Sequence, residues 1–240
     1  MSFSIVIPSK SLANLVPCVR AIREAGETAR VIVVDDGIDW GLDIEAPNAK
    51  PFIVRSGIKP FCFSRNVNIG IIAAGTDDVI VLNDDALLKT RHGFGALSKA
   101  MHGYGLGAAI TNNAGNLNQV RLPQIPGQMH DEPRMVCFIA VYIPRATINA
   151  AGLLDERFIG YGMDDDDYSL RVRNAGYKIG IFDGCYVDHG SLKSEYRGGP
   201  VTGGDFRPNL RRFIEKWGVD NRGKTRDKSE WAHLWPEVKA

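Results

Sequence analysis

No stretch of this 240-residue chain approaches the ~18 consecutive apolar residues of a membrane span. The apolar start of MSFSIVIPSK is too short for a secretory signal and has no basic lead. Four cysteines, Cys18, Cys62, Cys137 and Cys185, lie far apart without a C-x-x-C pair, which excludes a zinc knuckle or a dense disulfide framework. These absences predict a soluble, cytoplasmic protein with no integral membrane segment. Net charge is also scarce. Lys and Arg total 29 against 28 Asp and Glu, a formal +1, which argues against a general polyanion binder. No internal repeat is present, and 44% hydrophobic with 24% charged residues excludes disorder and collagen-like repetition. A chain of this length forms one large domain or two small ones. The charge balance hides an asymmetry: eleven Lys/Arg and seven Asp/Glu over residues 190–240 give +4, leaving −3 on residues 1–189.

Three short, β-branched apolar runs at residues 3–7, 31–34 and 79–82 end in polar residues, as strands buried on both faces of a parallel sheet do. Between the first two, Leu12, Leu15, Val16, Val19 and Ile22 follow helical spacing, and Gly26 marks the stop. Residues 65–74 predict a second helix, weakened by Gly70. An α/β fold with a mainly parallel central sheet flanked by helices follows. Residues 112–134, rich in Asn, Gln, Gly and Pro, read as a long surface excursion, of the kind that is uncommon unless functional. Further elements are predicted as a strand at 135–143, helices at 145–151 and 165–174, a strand at 179–182 and a helix at 208–217.

In open parallel sheets, ligands collect at the carboxyl ends of the strands. The residues there are Pro8-Ser9-Lys10, Asp35-Asp36-Gly37 and Asn83-Asp84-Asp85. Two acidic pairs on one sheet edge repel each other unless a cation or hydrogen-bond donors offset them, which points to a divalent metal. Asp-Asp-Gly also serves as a simple turn. Residues 164–167 are four consecutive aspartates. Helix-dipole and capping effects account for one or two of them, with Asp164 as cap and Asp167–Arg171 as an i,i+4 pair. Four in succession crowd like charges, raise at least one pKa and provide a candidate general base. His189, after a further apolar stretch, would complete a hard-metal site with Asp85.

In this order the motifs resemble the GT-A fold glycosyltransferases of the family 2 type, over about residues 4–190. The resemblance rests on Ile7-Pro8-Ser9, Asp35-Asp36-Gly37, Ser64-Arg65-Asn66, Asn83-Asp84-Asp85, the Gly-x-Gly turn before residues 164–167, and His189. It implies a Rossmann-like catalytic domain at 1–190 and a C-terminal extension at 191–240. It also implies that Asp36 binds the nucleotide base of a sugar-nucleotide donor, with Pro8 and Ser9 lining that pocket, Arg65 near the donor and Asp84 near its ribose or sugar. Asp85 would bind Mn²⁺ or Mg²⁺ at the diphosphate, with His189 as second ligand, although Asn83 replaces the first acid of the family's Asp-x-Asp motif. The acidic run is similar to that of galactosyltransferase-like members, which places the catalytic base at Asp165 and acceptor contacts at Asp164 and Asp166. The implied activity is an inverting, metal-dependent hexosyl transfer from a nucleotide sugar, by family analogy a UDP-sugar, to an acceptor hydroxyl of unspecified kind.

Glycines at 198, 199, 203 and 204, followed by Arg211 and Arg212, suggest a basic lid over the phosphates, while Leu210, Phe213, Ile214 and Trp217 suggest a helix packed on the core. Two rival readings remain at this stage. One is a sugar-phosphate nucleotidyltransferase, which needs a glycine-rich Arg/Lys loop where this chain has Pro8-Ser9-Lys10. The other is an inactive sugar-nucleotide or glycan-binding module, with Asn83 marking a decayed metal site.

Overall fold

The structure is a computed structural model that describes residues 2–40, 51–120, 127–193, 206–222 and Lys224. The glycine-rich stretch read as a lid lies outside the described residues. β1 (Phe3–Ser9), α1 (Leu12–Glu24) and β2 (Arg30–Asp35) form a βαβ unit with the strands parallel, Ile5 opposite Val31 and Ile7 opposite Val33. β3 (Phe52–Arg55) extends the edge beside β2; after α2 (Phe63–Ala73), β4 (Asp78–Leu82) pairs parallel on the other side of β1. The continuous apolar runs arise because alternate residues face two different cores. Ile5, Ile7, Val31 and Val33 pack under α1, whereas Val6, Ile32 and Val34 pack under α2.

Gly70, which weakens the helix prediction for α2, is required by that packing. A Cβ at this position would lie 2.1 Å from Val6 Cγ1 and 3.2 Å from Val34 Cγ2. Gly70→Ala is therefore expected to destabilise by about 1–3 kcal/mol despite its better helix propensity. A thermal melt checks this, and an unchanged or higher Tm would contradict the close packing of α2 on β1.

The second half contains β5 (Leu87–Leu88), α3 (Gly93–Ala100), β6 (Tyr104–Thr111), a 3-10 turn at Leu117–Val120, β7 (Met129–Asp131), β8 (Ala140–Ile143), α4 (Arg145–Ala151), α5 (Asp164–Asn174), β9 (Lys178–Asp188) and α6 (Arg207–Trp217). The sheet order is β3-β2-β1-β4-β8-β6-β9-β5, with β7 on β9. β3-β2-β1-β4 and the β6–β9 pair are parallel, while β8 runs antiparallel to both neighbours.

Three expectations change here. The strand predicted over 135–143 shortens to Ala140–Ile143, the strand predicted over 179–182 lengthens to Lys178–Asp188, and the described part of the segment 112–134 is not a simple surface excursion. Asn116 and Gln119 are buried, and their amides take the backbone hydrogen bonds that a strand partner would otherwise make. Asn116 Nδ2 donates to Met135 O at 2.6 Å, and Gln119 Oε1 accepts from Cys137 N at 2.6 Å. The polar composition of this segment thus supports residues 135–139 in an irregular conformation, aimed at a cavity.

Candidate active site

One wall of the cavity is built from strand ends. β1 ends at Pro8 and Ser9; β4 leads into Asn83, Asp84 and Asp85; β9 leads into His189. Ser9 Oγ donates to Asp84 Oδ2 at 2.6 Å, tying the end of β1 to that of β4. The Asp35-Asp36 pair divides into two roles. Asp35 turns back on its own loop, with Oδ1 accepting from Gly37 N at 2.8 Å and Ile38 N at 2.7 Å, and Oδ2 from Trp40 Nε1 at 2.8 Å. Burial alone would raise its pKa, but those hydrogen bonds outweigh burial and hold it below the usual range. Asp36 is equally buried, yet among the described residues neither carboxylate oxygen has a hydrogen-bond partner, and Lys59 Nζ lies 3.4 Å from Oδ2. A buried carboxylate left this way is suited to accept N–H groups from a ligand.

Asp85 and His189 are both buried and face each other, with Nε2 3.2 Å from Asp85 Oδ1. His189 Nδ1 lies 2.8 Å from the Asn113 carbonyl oxygen, which can only accept, so Nδ1 carries a proton. In the neutral ring, Nε2 then turns a lone pair toward a carboxylate oxygen. Two acceptors at that distance call for a proton or a cation between them, and an imidazole oriented by a backbone carbonyl is the usual support of a metal-binding histidine. Among the described residues, no group of three or more His, Cys, Asp or Glu side chains forms a metal cage. The pair therefore fits a divalent ion only as a partial shell that a ligand's oxygens complete.

A second part of the cavity lining is the turn and first helical turn around residues 160–167. Gly160 and Gly162 have φ of 90° and 81°, which is why glycine stands at both positions, and Met163 takes φ 71°, rare for a residue with a side chain. Met163, not Asp164, is the N-cap of α5, so all four aspartates lie inside the first turn, where the helix dipole favours them. Asp167 leaves the group. Its Oδ2 pairs with Arg171 Nε at 3.0 Å, and its Oδ1 pairs with Lys216 Nζ at 2.7 Å and Trp217 Nε1 at 2.8 Å.

Asp164, Asp165 and Asp166 line the cavity. Burial, then the neighbouring Asp165, pushes Asp164 up to about 7. Burial and the Asp165–Asp166 contact raise Asp165, and burial raises Asp166 against the opposing pull of Arg134.

The cavity is about 370 Å³ and brings together Pro8, Asp84, Asp85, Asp164, Asp165, Asp166 and His189. Ser9 stands one hydrogen bond behind it. Asp36 and Arg65 are not in its wall. The Arg65 guanidinium donates to the carbonyls of Ile58, at 3.1 Å, and of Pro60, fixing the loop before α2. Sequence reasoning missed Arg134, the sole Lys or Arg among the described lining residues, and the aromatic rim of Tyr161 and Phe206. Nothing in the local pattern of residues 132–135 marks Arg134; only the fold brings it beside Asp166. Cys137 also lines the cavity, but burial pushes its thiol up to about 12, away from the thiolate form that a nucleophile uses.

Comparison with known proteins matches the architecture. A crystal structure of GalNAc-T7 with UDP, GalNAc and Mn²⁺ superposes over 92% of this chain and 49% of its own, with a TM-score of 0.71 and 14% identity. This is the GT-A fold. S. aureus TarS 1-349 superposes over 78% of this chain and 60% of its own (TM-score 0.56, 14% identity). A UDP-glucose pyrophosphorylase from Acinetobacter baumanii covers 76% and 86% respectively (TM-score 0.52, 12% identity). The chain thus spans about half to three-fifths of the first two structures. No protein-family model matches the sequence, and no curated protein matches it. At these identities the GT-A likeness concerns the fold, and the chemistry must be read from the residues in the cavity. No helix among the described residues is long and apolar enough to cross a membrane.

Proposed function

We propose that this chain is an inverting, divalent-metal-dependent glycosyltransferase that takes its sugar from a nucleotide sugar, with UDP as the nucleotide. The observation that carries this reading is that the Asp85–His189 pair and the Asp164–Asp166 carboxylates line one and the same cavity. The first suits a diphosphate leaving group and the second suits deprotonation of an acceptor. The GalNAc-T7 structure, which contains UDP and Mn²⁺, supports the choice of ligands.

In this reading Asp36 accepts an N–H of the nucleotide base, Pro8 and Ser9 shape the donor pocket, and Asp84, held by Ser9, contacts the ribose or sugar. Arg65 acts on the donor through the loop whose carbonyls it fixes. Asp85 and His189 would hold Mn²⁺ or Mg²⁺, and a cation there supplies positive charge against the departing diphosphate. Asp165 takes the proton from the acceptor hydroxyl as that oxygen attacks C1, while Asp164 and Asp166 orient the acceptor. A single displacement with one base inverts the anomeric centre. This single displacement needs no covalent nucleophile.

The nucleotidyltransferase reading has a fold relative in the pyrophosphorylase, but β1 here runs into Pro8-Ser9-Lys10 and not into a glycine-rich basic loop. A thermal-shift panel of UDP-, GDP- and TDP-sugars with and without Mn²⁺ tests the donor assignment. At a hundredfold excess over Kd, the bound donor adds about 2.7 kcal/mol. Stabilisation by UDP-sugars that requires Mn²⁺ is the expected result; no stabilisation by any of the three overturns the donor class.

A further inference from the structure

The acidic turn is held from outside the sheet by one helix. Asn209 of α6 is 1% exposed, and its Nδ2 donates to two carbonyls of that turn, Gly162 O at 2.9 Å and Tyr161 O at 3.3 Å. Its Oδ1 accepts from Arg212 Nη1 at 2.8 Å, so a flipped amide would lose all three bonds. Phe206, just before α6, packs on the same turn; a Cβ at Gly162 would meet Phe206 Cβ at 3.3 Å. Two helical turns further on, Lys216 and Trp217 hold the Asp167 carboxylate. α6 thus grips the acidic run at both ends and leaves Asp164, Asp165 and Asp166 between the grips, on the cavity wall.

The turn needs such support. Gly160, Gly162 and Met163 all have positive φ, and three crowded carboxylates follow them. Mutual repulsion favours spreading that segment; the helix dipole and local bonds such as Asp166 N to Asp165 Oδ1 at 2.9 Å oppose it from within, and α6 adds the contacts from outside.

We propose that Asn209 is a positioning residue for proton transfer: by fixing the backbone at 161–163 it aims Asp165 at the acceptor hydroxyl. The proposal rests on the glycosyltransferase reading above. It concerns a helix that the sequence presents as a basic extension beyond the catalytic domain, and it makes that helix part of the catalytic geometry.

Two variants test it. Asn209→Ala removes the amide, and Asn209→Asp keeps its size but sets a carboxylate against the Tyr161 and Gly162 carbonyls. In either folded variant, kcat for Mn²⁺-dependent UDP-sugar turnover is expected to fall about 10- to 100-fold, the scale of a small misplacement of a reacting group. KM for the donor should stay within about twofold. The ascending limb of the pH profile should also move, because Asp165 shifts relative to Asp166. Amide hydrogen exchange over 161–167 should accelerate while that of β1 and β4 does not. Trp217→Phe, which cuts a single bond to Asp167, is the milder variant if the other two fail to fold, and it should show the same pattern at smaller size. Wild-type kcat with an unmoved pH profile, or unchanged exchange over 161–167, overturns the positioning role. The exchange measurement needs no donor. If the wild-type chain turns over no nucleotide sugar, the functional reading fails by itself, and exchange still decides whether Asn209 clamps the turn.

Discussion

Asp165→Asn is expected to lower turnover by about 10²–10⁴-fold, the usual contribution of a positioned general base, while the folded protein becomes more stable at neutral pH. Both effects have one cause. Asp165 lies in a wall with two other carboxylates, and burial together with Asp166 raises its pKa. A base with a raised pKa is partly protonated near neutrality, so the wild-type rate should climb as pH rises through that value and not through the ordinary carboxylate range near 4.

The stability sign runs the other way. A carboxyl whose pKa is raised on folding holds its proton more tightly in the folded state, so its contribution is fully present below its unfolded pKa and is lost as pH rises through the folded one. For Asp164 that window extends from 3.8 to about 7. Neutral asparagine at 165 removes one of the repelling charges. After discounting for the partial exposure of Asp165 to the cavity, the gain should be about 1 kcal/mol, or roughly 2–4 °C in Tm. Circular-dichroism melts at pH 5 and pH 8 check it: the Tm difference between variant and wild type should be larger at pH 8. A variant that loses activity and stability together would indicate structural damage instead of removal of the base.

Asp85→Ala should abolish the effect of metal on donor binding. In the wild type, Asp85 Oδ1 and His189 Nε2 face each other across 3.2 Å with the imidazole oriented by Asn113. The variant keeps the histidine and its carbonyl support but loses the anionic ligand. With Mn²⁺ present, UDP affinity measured by calorimetry should drop about 100-fold, equivalent to ~2.7 kcal/mol. It should then match the affinity that both proteins show in EDTA. Because Asp84 remains bonded to Ser9, the strand end itself should hold its shape. Equal UDP affinity with and without Mn²⁺ in the wild type would remove Asp85 and His189 from any metal role.

The features legible in the sequence were those carried by short, local patterns. The three strand ends and the acidic run could be read because a strand followed at once by polar residues has few other interpretations. The pairing of Asp85 with His189, residues more than a hundred positions apart, is legible because both follow apolar strands and the sheet brings strand ends together.

What escaped depends on side-chain direction. Asp35 and Asp36 are adjacent and chemically identical, and only the turn decides that one caps its loop while the other stays open. β6 is not legible in the sequence, because YGLGAAIT has too few large apolar residues to read as a strand. Its glycines are needed where neighbours press in: a Cβ at Gly107 would lie 2.3 Å from Met101 Sδ, and one at Gly105 would lie 2.5 Å from Tyr177 Cβ. The polar stretch around Asn116 and Gln119 has the composition of a loop, yet in the fold it is a buried set of hydrogen-bonding amides.

Release of UDP from a UDP-sugar, followed with the wild-type chain in Mn²⁺, in EDTA, and after Mn²⁺ is restored, tests the central claim most directly when Asp165→Asn is run beside it. The expected result is UDP release that needs the metal, returns when it is restored and falls about 10²-fold or more in the variant. UDP release at the same rate in EDTA, or at the wild-type rate from Asp165→Asn, would contradict the assignment of this cavity to metal-dependent glycosyl transfer.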